Sequence, residues 1–395
     1  MKDFRTIVEE YHKVDFTQRR AALATVINVH GSSYRSPGAR MLITDDGRWV
    51  GSISGGCLEG DALRKARMVM SEKAALTVTY DTREESNQHL GIGLGCNGVI
   101  DVLIEPVVPG DPFNPVSLFE GFLKTEHPLA LATVYDPPSL AGRKLLVDAT
   151  GQVLGGSTER MPTTLPADLR KVFESRKSET RRYESAEGPV GIFLELVQPV
   201  VRLILFGAGF DARPVSHLAR SLGWEVEVTD ECVAHIAPVF FPEASKLSLC
   251  QREYIERDMH ITPYTACVLM SHNYEYDRDV LEKLYNKNTP YIGILGPRKR
   301  FDKMLDEFKS RGIVLSPDQL RKIHSPIGLD IGAEAPDEIA VSIIAEIQGV
   351  FANRSGGFLK YRQGPIHQRE TGSDEVFKQV YLIDPDARKA SGQNS

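Results

Sequence analysis

Residues 201–230 constrain the fold more than any other stretch of this chain. Val201–Phe206 is an apolar run broken only by Arg202, of the kind buried in a parallel sheet. It leads directly into Gly207, Ala208, Gly209, Phe210, Asp211 and Ala212. Val215, Leu218, Ala219 and Leu222 then recur on one helical face, and Gly223 ends the helix. Glu225–Thr229 reads as the next strand, with Asp230 at its end. Strand, Gly-x-Gly-x-x-Ala turn, helix and downstream acid together make the dinucleotide fingerprint of a Rossmann-type domain. There Gly207 permits the tight turn and Gly209 leaves room for a pyrophosphate. The helix N-terminus offers N–H groups to that anion, and Asp230 accepts from a ribose diol. Plainer readings stand beside these: glycines also let a helix pack closely on a strand, and Asp is common at strand ends. Further strands are expected at 246–250, 267–271 and 291–295, and helices at 277–287, 303–310 and 336–350. His272, Gly296 and Asp330 fall at or just after strand ends, where such sheets bind ligands.

The first half of the chain repeats itself. Leu23–Val26 returns as Leu131–Val134, Arg40–Thr44 as Arg143–Val147, and Ile100–Pro106 as Ile192–Pro199. Residues 1–199 therefore read as a duplicated α/β domain, 200–351 as the Rossmann-type domain and 352–395 as a polar tail. Residues 107–118, rich in proline, read as the linker between the copies. One hundred or so residues per copy, and only two copies, exclude a solenoid. The duplication also acts as an internal control. Ser54, Gly55, Gly56 and Cys57 open a helix in the first copy, and Gly95 and Cys96 lie in a glycine-rich turn. The second copy keeps the apolar strands but has neither cysteine, so folding alone does not require them.

A net charge of −6 and pI near 6.0 argue against a nucleic-acid partner. No apolar stretch reaches the roughly 18 residues of a membrane span, and the N-terminus has no apolar signal region. Five cysteines, an odd and scattered set, fit no disulfide framework and suit a reducing compartment, so a cytoplasmic location is expected. The lack of a Cys-x-x-Cys pair speaks against structural zinc.

Several motifs in order resemble the xanthine dehydrogenase accessory factor family (XdhC/CoxI type). They are His30–Ser32 with Pro37–Met41, Ser54–Glu59 and Gly93–Gly98 in the first half. In the second they are Gly207–Ala212, Ser271–Asn273 with Asp277, Gly293–Gly296, and Pro326–Ala333. The resemblance covers most of residues 20–350. It implies a chaperone that binds molybdenum cofactor, protects it during sulfuration by a cysteine desulfurase, and delivers it to an apo-molybdenum hydroxylase of the xanthine dehydrogenase type. A homodimer is compatible with it. The alternative is an NAD(P)-dependent oxidoreductase built on the Rossmann domain. The absence of an evident acid–base pair favours an accessory factor without turnover of its own.

On the chaperone reading, Ser54, Gly55, Gly56, Cys57, Gly95, Cys96, Gly207, Gly209, Asp230 and His272 are the candidate cofactor-binding residues. Cys57 and Cys96 are the candidate soft ligands for the metal, and Cys57 is the one candidate catalytic residue. Cys57 meets the positive end of a helix there. The plain reading of either thiol is a small buried hydrophobe. Glu59 is expected to cap its helix. Arg40 is a phosphate partner or, because Arg143 stands at the matching place, a structural residue.

Overall fold

The structure, a computed structural model, describes residues 2–31, 33–81, 98–111, 114–185 and 188–361. It divides into two compact units, residues 3–198 and residues 199–361.

In the first unit β1 (Ala21–Gly31), β2 (Arg40–Thr44), β3 (Trp49–Gly51), β4 (Leu76–Asp81) and β5 (Gly98–Val107) form an antiparallel sheet in the order β3-β2-β1-β5-β4. β6 (Leu129–Asp136), β7 (Lys144–Asp148), β8 (Val153–Gly156), β9 (Glu179–Tyr183) and β10 (Val190–Val197) repeat that order as β8-β7-β6-β10-β9. Each sheet buries one face under a helix. Ala62, Ala66, Val69 and Met70 of α2 (Glu59–Glu72) cover the first. Leu165, Leu169 and Val172 of α4 (Leu165–Ser175) cover the second. Both helices end on a left-handed residue, Lys73 and Arg176, each donating its N–H to a valine carbonyl one turn back.

α1 (Lys2–Tyr11) and α3 (Pro115–Lys124) precede the two sheets. α3 overturns the expectation of a linker through residue 118. Asn114 caps it by accepting the Val116 N–H, and Pro115 stands at its first position, where the missing N–H costs nothing. The prolines marked a helix start as well as a connection.

Strand register corrects the match between the copies. Thr25 faces Arg40, and Thr133 faces Lys144, so Lys144 and not Arg143 is the counterpart of Arg40. A slip of one residue turns a strand side chain to the other face. With the register right, a pair of swapped ion bridges appears. Arg40 Nη1 donates to Glu195 Oε1 at 2.8 Å, and its other nitrogen reaches Oε2. Lys144 Nζ reaches Glu105 Oε1. Each cation also donates to its own turn, Arg40 to the Gly38 carbonyl at 2.8 Å and Lys144 to that of Gly142 at 3.0 Å. All four side chains are at most 7% exposed. The bridges cross between the copies in both directions and hold the pseudo-two-fold together.

The second unit is a six-stranded parallel sheet of β11 (Arg202–Phe206), β12 (Glu225–Asp230), β13 (Lys246–Leu249), β14 (Thr265–Leu269), β15 (Tyr291–Ile294) and β16 (Ile323–His324). The order β13-β12-β11-β14-β15-β16 is that of the doubly wound dinucleotide fold. α5 (Ala212–Ser221) and α10 (Pro336–Phe351) pack on one face. α6 (Ile255–Asp258), α7 (Tyr274–Leu284) and α8 (Arg298–Ser310) pack on the other. The short α9 (Pro317–Arg321) leads into β16. Of the expected tail, only 352–361 lie within the described residues.

Candidate functional site

In the first unit the chain leaves β3 and folds onto Glu59, the first residue of α2. Glu59 Oε1 accepts the Ser54 N–H and the Ser52 hydroxyl, both at 2.9 Å. Its Oε2 accepts the Ser54 hydroxyl and, at 3.2 Å, the Leu58 N–H. Burial would raise the Glu59 carboxyl, but these hydrogen bonds, led by those of Ser54, hold it below the usual carboxylate range. Ser54 Oγ in turn accepts N–H bonds from Gly56 at 3.2 Å and Leu58 at 3.1 Å. Glu59 and Ser54 are thus buried positioning residues that close the loop onto the head of the helix, which has no side-chain cap of its own. Gly55, Gly56 and Cys57 form its exposed crest. The Tyr34 ring lies against Gly55, and the N–H groups of Gly55 and Cys57 have no partner among the described residues.

That crest joins a soft sulfur donor to free backbone N–H groups, the donor types that a metal–dithiolene group with an anionic substituent would use. Gly95 and Cys96 lie outside the described residues. Among the described residues no three His, Cys, Asp or Glu side chains converge to hold a metal ion. Of the other thiols, Cys250 and Cys267 are buried, and burial pushes Cys267 up to about 12. Cys232 is half-buried.

At the strand ends of the second unit, Gly207 is tight for its own sheet. A Cβ there would come within 2.5 Å of the Ser271 backbone. Asp230 is buried; it accepts the Ala208 N–H at 2.9 Å and the Cys232 N–H at 2.8 Å, and lies 3.2 Å from His235 Nδ1. Its carboxylate therefore braces the glycine turn.

The space beside Gly209 is filled from within the chain. A Cβ at Gly209 would lie 2.9 Å from Asp211 Oδ1 and 3.6 Å from the His272 ring. Asp211 Oδ2 pairs with His272 Nε2 at 2.9 Å, and its Oδ1 is buried without a hydrogen-bond partner among the described residues. His272 adopts φ +61°, a strained conformation for a residue with a side chain, and one that functional sites use. Asp211 stands at the head of α5. Its side chain bonds none of that helix's N–H groups, but its carboxyl lies beside Gly209 where a pyrophosphate would approach the backbone. In this arrangement the residues do not fit NAD(P). An acid inside the phosphate-binding turn was visible in the sequence and was the signal to weigh.

Below it, Ser271 Oγ donates to buried Asp277 at 2.6 Å, and Arg300 Nη2 donates to the other oxygen at 2.6 Å. Burial nevertheless keeps the Asp277 carboxyl above its usual range.

Comparison with known proteins follows the same two units. Residues 17–81 match the family model described as XdhC and CoxI family, and residues 203–347 match that of the XdhC Rossmann domain. A Bacillus subtilis (strain 168) protein, named as a probable subunit of xanthine dehydrogenase, is 30% identical over 84% of this chain and 93% of its own length. The molybdenum cofactor insertion chaperone PaoD of Escherichia coli (strain K12) is 23% identical over 88% of this chain and 89% of its own. A crystal structure of a Bacillus halodurans protein, described as a xanthine dehydrogenase, superposes with a TM-score of 0.70 at 30% identity. It covers 88% of this chain and 96% of that one.

Proposed function

The chain belongs to the XdhC and CoxI family, and from that premise we propose that it is a chaperone that binds molybdenum cofactor and delivers it to an apo-molybdenum hydroxylase of the xanthine dehydrogenase type. The single observation that carries this reading is the crest of the 52–58 loop: an exposed thiol, held up by a buried serine–glutamate lock, in the one copy of the duplication that has it. Similarity to PaoD along nearly the whole chain supports it.

With its metal end held there, the cofactor would supply a thiophilic metal and the anionic phosphate carried by its pterin. Cys57 is the proposed metal contact, and the N–H groups of Gly55 and Cys57 the proposed anion donors. Cys96 and Gly95 belong to the proposal through the family resemblance. So do sulfuration by a cysteine desulfurase and a homodimer; work in the cytoplasm belongs to it through the odd, scattered set of cysteines. Asp211 in the pyrophosphate seat counts against the NAD(P)-dependent oxidoreductase.

The test is to purify the full chain from a host that makes molybdenum cofactor. Released pterin fluorescence and bound molybdenum should approach one per chain; a chain without either sinks the reading. Cys57→Ser should lower molybdenum retention and delivery of sulfurated cofactor. Unchanged delivery removes the thiol from the mechanism.

A further inference from the structure

The two sheets of the first unit meet around a small apolar centre of Ile27, Leu103 and Phe193, with Tyr135 packed against it. Ile27 and Tyr135 are matching residues: each is the extra residue where the strand pairing slips, between Val26 and Asn28 in β1 and between Val134 and Asp136 in β6. Bulges re-aim side chains and recur beside binding sites. Beside this centre the sheets part and leave a cleft of about 390 Å³. That volume is within the range of small-molecule sites. Its lining includes Asn28, His30, Thr79 and Asp101 from the first sheet, and Tyr135, Asp136 and Arg182 from the second.

The duplication separates what folding needs here from what it does not. Asn28 and Thr79 both face Asp101, while Asp136 and Arg182 both face Gly191. The matching pairs are therefore Asn28 with Asp136, Thr79 with Arg182, and Asp101 with Gly191. Where the copies hold each other they keep the same chemistry, cation for cation and acid for acid, in the Arg40–Glu195 and Lys144–Glu105 bridges. In the cleft these three matching pairs all differ, whereas Thr77 beside them keeps its chemistry in Thr180. Gly191 makes room for an aromatic ring: a Cβ there would lie 2.5 Å from Tyr135 Cζ. The first copy contributes a carboxylate at that place instead.

That carboxylate is held in position. Asp101 Oδ2 accepts from Asn28 Nδ2 at 3.0 Å and Oδ1 from the Thr79 hydroxyl at 2.7 Å, leaving each oxygen further acceptor capacity. Burial raises the Tyr135 hydroxyl, so it stays a neutral phenol at physiological pH. Arg182 is drawn to Asp136 at 3.4 Å. Two carboxylates, one guanidinium already drawn to one of them, and the His30 ring beside Asn28 at 2.8 Å make a poor phosphate site; the open Asp101 carboxylate suits a ligand rich in N–H donors.

We propose that this cleft binds a neutral aminopyrimidinone ring, the hydrogen-bonding edge shared by pterins and guanine, with Asp101 accepting its ring N–H and amino group and Tyr135 bordering the ring. The identification of a pterin as the natural source rests on the chaperone reading, in which the cargo carries one. A dinucleotide form of the cofactor would carry the same edge in its base if that base were guanine.

The experiment is a titration of the purified full chain with 6-hydroxymethylpterin, read by its fluorescence, and in parallel with guanosine, read by calorimetry. Saturable binding of the pterin that Asp101→Asn weakens at least tenfold supports the proposal with pterin as the source. Binding of guanosine alone, with the same loss in Asp101→Asn, supports the site and assigns the base. Tyr135→Phe removes one oxygen, should weaken binding about threefold, and serves if Asp101→Asn does not fold. No saturation by either probe below a millimolar overturns the proposal, as do folded Asp101→Asn and Tyr135→Phe variants that bind like the wild type. A chain that retains no molybdenum cofactor in cells but binds free pterin through Asp101 sinks the chaperone reading and supports the cleft.

Discussion

Glu195→Gln is the sharpest test of how the duplicated unit is held together. The substitution keeps the shape of the side chain and removes its charge, leaving the Arg40 guanidinium, 4% exposed, without its counter-ion. Breaking a buried ion pair from one side costs about 3–5 kcal/mol, because the remaining charge stays desolvated. For a unit of this size about 2–4 °C of Tm is lost per kcal/mol, which puts the expected drop at about 6–20 °C. The lower part of that range applies, because Arg40 still donates to the Gly38 carbonyl at 2.8 Å and lies 4.9 Å from the ring centroids of both Phe4 and Phe119. Such cation–π contacts retain about 1–2 kcal/mol at a desolvated site. Glu105→Gln leaves Lys144 with its bond to the Gly142 carbonyl at 3.0 Å and, among the described residues, no comparable pair of rings, so it should cost more than Glu195→Gln. The double variant Arg40→Met with Glu195→Leu removes both charges and should recover most of the loss, since apolar replacement of a whole buried pair is often neutral. Differential scanning calorimetry of the full chain reads all three. A drop under about 2 °C for either single variant, or a double variant no better than Glu195→Gln, would refute the reasoning.

Two further outcomes follow from the site geometry. The wild-type chain should show no NADH or ADP binding below a millimolar, and Asp211→Ala should tighten ADP binding tenfold or more in calorimetry, because it empties the seat beside Gly209; equal affinities would return the turn to its ordinary role. Glu59→Gln should lower stability by about 1–3 kcal/mol at pH 7 by weakening charge-assisted hydrogen bonds. Because the folded carboxyl is held below its unfolded value near 4.3, that gap should be full above about pH 5 and close as pH falls through the lowered value. A gap in Tm that does not change between pH 7 and pH 3 contradicts the lock.

Much of the candidate site was legible in the residue order because its signals are local. Ser54–Cys57 at a helix start and the Gly207–Ala212 turn need only the chemistry of neighbouring residues, and both lie where their motifs place them. Arg40 was harder. Matching identical letters set it against Arg143, and only the pairing of Thr25 with Arg40 and Thr133 with Lys144 revealed its true counterpart. The sixth strand, Ile323–His324, is too short to carry any periodic signal. The occupation of Gly209's space by Asp211 depends on a rotamer held by His272, 61 positions away.

By itself the sequence determined most of the elements and their grouping: two α/β repeats, then a parallel sheet with a glycine turn after its first strand. Hydrophobic period, turn residues and caps act over a few positions, so they can be read along the chain. Tertiary structure alone decided which charges meet. The Arg40–Glu195 and Lys144–Glu105 bridges, the Asp101–Tyr135 cleft and the Asp211–His272 closure each join residues 34 to 155 positions apart. Their energies depend on burial and on distances of a few ångströms, which exist only once the sheets have packed.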